Sequence, residues 1–145
     1  MGKVSFNYDD RRFPVNNKRG IQSFIERLFG IEKRPLQQLN YIFCSDDNLL
    51  HINRSFLKHD FYTDIITFDL SEDKTKTSGE VYISVDRVKD NAKTLKVSFE
   101  DEALRVLFHG ALHLCGYKDK KKDDITIMRN KEDYYITLYK SIRST

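Results

Sequence analysis

The chain has 145 residues, of which 39% are hydrophobic and 32% are charged, and its formal net charge is +3. This length and composition are typical of one globular unit, so we expect residues 1–145 to form a single domain. The near-neutral charge excludes binding of nucleic acid through total charge, so any such binding must come from local clusters. No run of 18 apolar residues is present, which excludes a membrane-spanning helix.

The cellular compartment is indicated by what the chain lacks. The N-terminal residues contain no apolar segment of signal-peptide length. The two cysteines, Cys44 and Cys115, form neither a Cys-x-x-Cys motif nor the framework of a secreted protein. We therefore expect a cytoplasmic protein in a reducing compartment, with no membrane partner.

Strands and helices are predicted from the spacing of apolar residues. Alternating or β-branched stretches predict strands at 4–8, 39–44, 64–70 and 79–84. Helical spacing predicts helices at 16–29, 45–57 and 86–96, a fourth from 98 and a fifth from 123. We expect Gly30 to end the first helix and the polar residues 71–78 to form an exposed loop. This order is typical of an α+β fold with a mostly four-stranded mixed sheet and about five helices.

The fourth predicted helix carries the residues that point to a function. Ser98 and Asp101 have the spacing of a helix N-cap and its third residue. Residues 103–117 are apolar almost throughout, which predicts a buried helix. The exceptions include His109 and His113, which are four residues apart. Residues at this spacing stack on one helical face, so the two imidazoles are close enough to share a metal ion.

A third metal ligand follows this histidine pair. Gly116 is expected to stop the helix, and Asp119 comes just after the turn. Two histidines and one carboxylate leave a fourth position for water, which is the pattern of a catalytic zinc site. Such histidine pairs also occur without a metal, but burying two unpaired imidazoles would cost about 1–3 kcal/mol each. We therefore predict one divalent metal per chain, with zinc as the expected ion, held by His109, His113 and Asp119.

The residues around the predicted metal indicate the substrate class. Gly110 occupies the position of the glutamate in the His-Glu-x-x-His motif of zinc peptidases, so that general base is missing. Lysines that would attract phosphate flank Asp119, at Lys118, Lys120, Lys121 and Lys122. A lysine run alone is also typical of a solvated loop. Beside a hydrolytic metal it favours a phosphodiester substrate, attacked by a metal-bound hydroxide.

Three stretches carry a resemblance to a known family. Residues 109–119 are similar to the signature HGxLHLxGYDH, residues 63–68 to TDVLSF, and residues 79–84 to GDIxIS. Asn53 fits an asparagine before the second stretch. In this order, over roughly residues 40–135, they resemble the YbeY-type rRNA maturation endoribonucleases.

The resemblance implies a biological role as well as a reaction. It implies a zinc-dependent, single-strand-preferring endoribonuclease that matures the 3′ end of 16S rRNA and takes part in ribosome quality control. The expected partners are rRNA and the small ribosomal subunit, with a ribosomal protein as a further expected partner. The lysines at 118 and 120–122 then become candidate RNA-binding residues.

Three positions depart from the family pattern. Asp119 stands where the third family ligand is histidine, and Lys118 replaces the aspartate before it. An anionic carboxylate should make the metal a weaker Lewis acid and the site more tolerant of harder metals. Leu57 replaces a family arginine that is suited to bind the scissile phosphate. Arg54 and His59 are the candidates to contact that phosphate instead.

Two other functions stay open on the sequence. A ribosome-assembly factor that binds rRNA or a ribosomal protein without catalysis is compatible with Leu57 and Asp119. A zinc hydrolase of a small molecule or peptide is disfavoured by Gly110 and by the lysines.

Overall fold

A computed structural model describes residues 2–73 and 75–143, and these contain four strands and five helices in the order βαβαββααα. The strands are β1 Val4–Tyr8, β2 Leu36–Cys44, β3 Ile65–Asp69 and β4 Thr77–Ser84. The helices are α1 Lys18–Ile31, α2 Asp46–Leu57, α3 Val85–Leu95, α4 Phe99–Leu114 and α5 Lys122–Arg143. The predicted α+β class is confirmed. None of these helices is long and apolar enough to cross a membrane.

The four strands form one mixed sheet in the order β1-β2-β4-β3. β2 is parallel to both β1 and β4, whereas β3 is antiparallel to β4. Successive side chains in a strand point to opposite faces. One face therefore buries Tyr41 and Phe43 of β2 beside Val81 and Ile83 of β4. The other face is covered by α2 through Leu49, in a smaller apolar cluster.

Helix α4 is buried between the sheet and its helical neighbours α1, α3 and α5. Gly110 is the residue that lets it approach the sheet closely. A Cβ added at Gly110 would lie 2.9 Å from Cγ1 of Val81 and 3.1 Å from Cδ1 of Ile65. The hydroxyl of Tyr41 donates a hydrogen bond to the carbonyl oxygen of Leu107 at 2.7 Å. The missing side chain at Gly110 therefore serves the packing of α4 on the sheet.

Three predicted boundaries are clearly wrong, and the first is the start of β2, which lies at Leu36 and not at 39. Gly30 does not end α1, which continues to Ile31 and is capped by Glu32, with Lys33 next in the left-handed region at φ 58°. β4 begins at Thr77 and not at Gly79, because its pairing with β2 already starts opposite Leu36. The end of the predicted loop 71–78 therefore belongs to the sheet, while residue 74 of that loop lies outside the described residues.

Candidate metal centre

His109 and His113 lie on one face of α4, and their ring centroids are 4.6 Å apart. The helix begins as predicted, because the Ser98 side chain accepts a hydrogen bond from the backbone N–H of Asp101. It ends at Leu114. Gly116 then adopts a φ of 106°, a left-handed conformation that glycine tolerates best, and this turns the chain back toward the histidines.

This turn places Asp119 against both histidines. Oδ2 of Asp119 lies 3.1 Å from Nε2 of His109 and 3.3 Å from Nε2 of His113. One ligand atom from each of the three residues lies within 4.8 Å of the others. All three side chains are partly exposed, as a site that admits a substrate requires. Two imidazole nitrogens and one carboxylate oxygen are a donor set that a divalent ion accepts, so these residues fit a metal.

Glu132 of α5 orients the first histidine. Its Oε2 lies 2.6 Å from Nδ1 of His109, and its Oε1 accepts a hydrogen bond from Arg105 at 2.9 Å. Metal-binding histidines commonly donate their second ring N–H to a carboxylate, which fixes the tautomer and the ring orientation. Burial alone would lower the pKa of His109, but the hydrogen bond and charge of Glu132 outweigh it and the pKa is raised. The contact leaves Nε2 of His109 facing Asp119.

The sequence interpretation missed Glu132, although a signal for it exists. Met128 and Tyr135 are buried on α5, and Glu132 is four residues after the first and three before the second. Residues at these spacings share a helical face. A glutamate that is only 4% exposed on such a face needs a polar partner, and His109 and Arg105 provide it.

A second carboxylate, the partly buried Glu32, holds the segment that carries Asp119. The hydroxyl of Tyr117 donates to Oε1 of Glu32 at 2.7 Å, and Tyr135 and Lys131 both bind Oε2. Burial would raise the pKa of Glu32, but hydrogen bonds from the two tyrosines and the charge of Lys131 outweigh it, so this pKa is lowered. Because Tyr117 is two residues before Asp119, Glu32 restrains the third ligand.

The three candidate ligands, His109, His113 and Asp119, face a cavity of about 990 Å³. Its walls are formed by α4, α5 and β3, by Asn53 and Leu57 near the end of α2, and by the segment that follows α2. The lining includes further ionisable side chains, namely His59, Asp64, Asp69, Glu102, Arg105, Lys120, Arg129 and Glu132. Burial raises the pKa of both Asp64 and Glu102. The sequence interpretation had assigned no role to either carboxyl group.

Only some of the residues that were predicted to contact phosphate or RNA line this cavity. Lys120 lines it, whereas Lys118, Lys121 and Lys122 are exposed and are not among its lining residues. His59 lines it as well. Arg54 does not, because its guanidinium is bound to the carboxylate of Asp60. RNA binding by these residues stays a prediction.

Comparison with known proteins identifies the family. The model of the family described as Endoribonuclease YbeY matches residues 4–140. This chain belongs to the Endoribonuclease YbeY family. A YbeY relative from Cytophaga hutchinsonii, named Endoribonuclease YbeY, is 47% identical over 137 residues, covering 94% of this chain and 96% of the relative. One of the same name from Flavobacterium johnsoniae is 43% identical over 136 residues, with the same coverage.

A solved structure supports the YbeY assignment at the level of the fold. The solution structure of a Thermotoga maritima protein is 28% identical to this chain and has a TM-score of 0.63. The similarity covers 97% of this chain and 92% of the other. The YbeY match covers residues 4–140 and so includes His109, His113 and Asp119, which places the candidate metal centre within the family domain.

Proposed function

We propose that this chain is a metal-dependent endoribonuclease that cleaves single-stranded RNA in the maturation of the 3′ end of 16S rRNA and in ribosome quality control. One observation carries this proposal. His109, His113 and Asp119 converge in an open cavity of a chain whose relatives are named Endoribonuclease YbeY. We further propose cytoplasmic action, with rRNA, the small ribosomal subunit and a ribosomal protein as partners.

The ligand set supports zinc as the bound ion. His109, His113 and Asp119 would hold one Zn²⁺ and leave one position for a water or a substrate oxygen. When bound, the ion supplies Lewis acidity that activates water and neutralises charge on phosphoryl oxygens. Because Asp119 is anionic where the family pattern has histidine, we expect lower Lewis acidity and a broader acceptance of Mn²⁺ or Fe²⁺.

Other residues that line the cavity would bind the RNA phosphates and transfer a proton in this reaction. Lys120 and Arg129 place positive charge along the lining, where they would bind phosphate oxygens of the RNA backbone. Hydrolysis breaks one phosphorus–oxygen bond, and the leaving oxygen takes up a proton. Asp64 is suited to hold that proton on its carboxyl group, because burial raises its pKa. Asn91 contacts the carboxylate at 3.3 Å and orients it.

Metal content and RNA cleavage by matched histidine variants test the proposal. We expect the unaltered protein to contain about one metal ion per chain and to cleave single-stranded rRNA segments. The His113→Ala variant should lose both properties. His51→Ala is the control, because His51 is exposed on α2 and does not line the cavity. Absence of metal from the unaltered protein, or cleavage that persists in His113→Ala, would contradict the assignment.

A specific observation keeps one other function in view. Leu57 lines the cavity at the position of a family arginine, and it contributes no charge there. A ribosome-assembly factor that binds rRNA without cutting it fits this substitution. Metal-loaded protein that binds rRNA tightly but leaves it intact would establish that function instead.

A further inference from the structure

Two aromatic rings lie in the cavity at the segment between α2 and β3. His59 and Phe61 are stacked, with ring centroids 5.2 Å apart and an angle of 20° between the planes. Both residues line the same cavity as the metal ligands. Phe61 nevertheless remains 55% exposed. We call this stacked pair the aromatic shelf. It is a flat apolar surface that the core of the protein does not use.

Asn53 fixes the aromatic shelf from both ends. Its side-chain Nδ2 donates a hydrogen bond to the carbonyl oxygen of Phe61 at 2.8 Å. Its own carbonyl oxygen accepts a hydrogen bond from the backbone N–H of His59 at 3.1 Å. Asn53 is only 1% exposed, so it is a rigid support. Because these hydrogen bonds hold the backbone of His59 and Phe61 before any ligand arrives, binding of a ligand to their rings would cost the protein little conformational entropy.

We propose that the aromatic shelf stacks an unpaired nucleobase of the RNA substrate. This inference rests on the proposed function, since it names a subsite of that nuclease. An aromatic face recognises the π-face of any base, and such stacking is the usual way in which proteins hold single-stranded nucleic acid. Lys120 and Arg129 in the same cavity supply the positive charge that the linked phosphates require.

The aromatic shelf also gives a reason for a preference for single strands. A base within a duplex is stacked and paired, and it must leave both interactions before it can lie on a protein ring. An unpaired base is free to do so. The shelf therefore selects single-stranded RNA by its shape, without reading the sequence. Stacking of this kind tolerates all four bases.

The first test compares two phenylalanines of the same region. Phe61→Leu keeps an apolar side chain but removes the aromatic face. We expect it to weaken binding of a short single-stranded RNA about tenfold and to raise KM more than it lowers kcat. Phe56→Leu is the control, because Phe56 is 70% exposed on α2 and does not line the cavity. Metal content and melting temperature should stay unchanged in both variants.

The second test detects stacking directly. The chain contains no tryptophan, so Phe61→Trp introduces a single indole at the shelf, which can be excited selectively beside the tyrosines. We expect single-stranded RNA to quench its fluorescence and RNA affinity to be restored to at least that of the unaltered protein. Inorganic polyphosphate carries the charge but no bases, and it should not quench.

The outcomes separate the shelf from the nuclease assignment. If the unaltered protein cleaves RNA while Phe61→Leu binds and cleaves equally well, the shelf is not a subsite and the nuclease assignment stands. Equal quenching by polyphosphate and RNA would also overturn the shelf. If the unaltered protein neither binds nor cleaves RNA, the proposed function fails and the shelf fails with it.

Discussion

The metal ligands and the aromatic shelf line one cavity, but they are held in place in different ways. The candidate ligands are fixed by carboxylates, since the buried Glu132 binds His109 and the partly buried Glu32 binds Tyr117, two residues before Asp119. The shelf is fixed through its backbone by Asn53, and its rings stay open to solvent. Hydrogen bonds between side chains thus fix the positions of the candidate ligands. In the aromatic shelf only the backbone is held, so the ring faces stay free to contact a substrate.

The difference predicts how each part responds to substitution. A buried carboxylate that loses one donor leaves charge without a partner, so damage in the ligand network spreads to folding and to metal affinity together. Replacement of an exposed ring removes an interaction with substrate and little else. The effects of substitution should therefore be largest at the candidate ligands, smaller at the carboxylates that hold them, and smallest at the lysines at 118 and 120–122.

Removal of the third ligand should have the largest effect. Asp119→Ala takes away the only carboxylate in the ligand group, so we expect loss of stoichiometric metal and of cleavage. Asp119→His restores the family pattern and should keep the metal, because imidazole nitrogen is an equally good zinc ligand. Metal analysis of both variants decides the question. Full metal content in Asp119→Ala would show that Asp119 is not a ligand.

Loss of the carboxylate behind His109 should come next. Glu132→Gln weakens the orientation of the ring, so metal affinity should fall about 10- to 100-fold. Asp133→Asn is the control, since Asp133 also pairs with Arg105 at 2.7 Å but does not touch His109. A titration with Co²⁺ followed by absorbance measures both. Equal affinities in the two variants would mean that Glu132 supports only the arginine.

Glu32 should affect stability more than chemistry. Glu32→Gln weakens hydrogen bonds from two tyrosines, and we expect the free energy of unfolding to fall by about 2 kcal/mol at neutral pH. The folded pKa of Glu32 lies below its ordinary value of 4.5. Its contribution is therefore fully present above pH 4.5 and is lost as the pH falls through the lower folded value.

Denaturation of the metal-free protein at several pH values measures this effect. The Glu32→Gln variant should lose part of the acid dependence, whereas Glu72→Gln, which changes an exposed carboxylate, should keep it. Identical acid profiles for the Glu32 variant and the unaltered protein would exclude the network as a source of stability.

The lysines should give the smallest effect, and one that depends on salt. Replacing the lysines at 118 and 120–122 with serine should weaken RNA binding and flatten its salt dependence, by about 0.7 in slope for each phosphate that is no longer neutralised. Lys120→Ser alone should account for most of the change, because only Lys120 of the four lines the cavity. If the salt dependence of RNA binding is unaltered, these lysines do not contact the RNA and only form a solvated loop.

The sequence predicted the parts of the site that depend on local spacing. His109 and His113 are four apart on one helix, and Asp119 follows a glycine turn, so short-range geometry brings them together. Glu32 and Tyr117 are 85 residues apart, and only the packing of α1 beside α4 and α5 joins them. No periodicity encodes such a long-range pairing. The end of α1 was misjudged by two residues for another reason, because Gly30 lies on the exposed side of a helix that continues to Ile31.

The closeness of α4 to the sheet also limits what this scaffold can become. A glutamate at position 110 would complete the metallopeptidase motif with a single codon change. Its first side-chain carbon would have to occupy space that Val81 and Ile65 already fill, with a separation of only 2.9 Å from Val81. The shortest evolutionary route from this metal site to peptide hydrolysis is therefore closed by helix–sheet packing, before any question of catalysis arises.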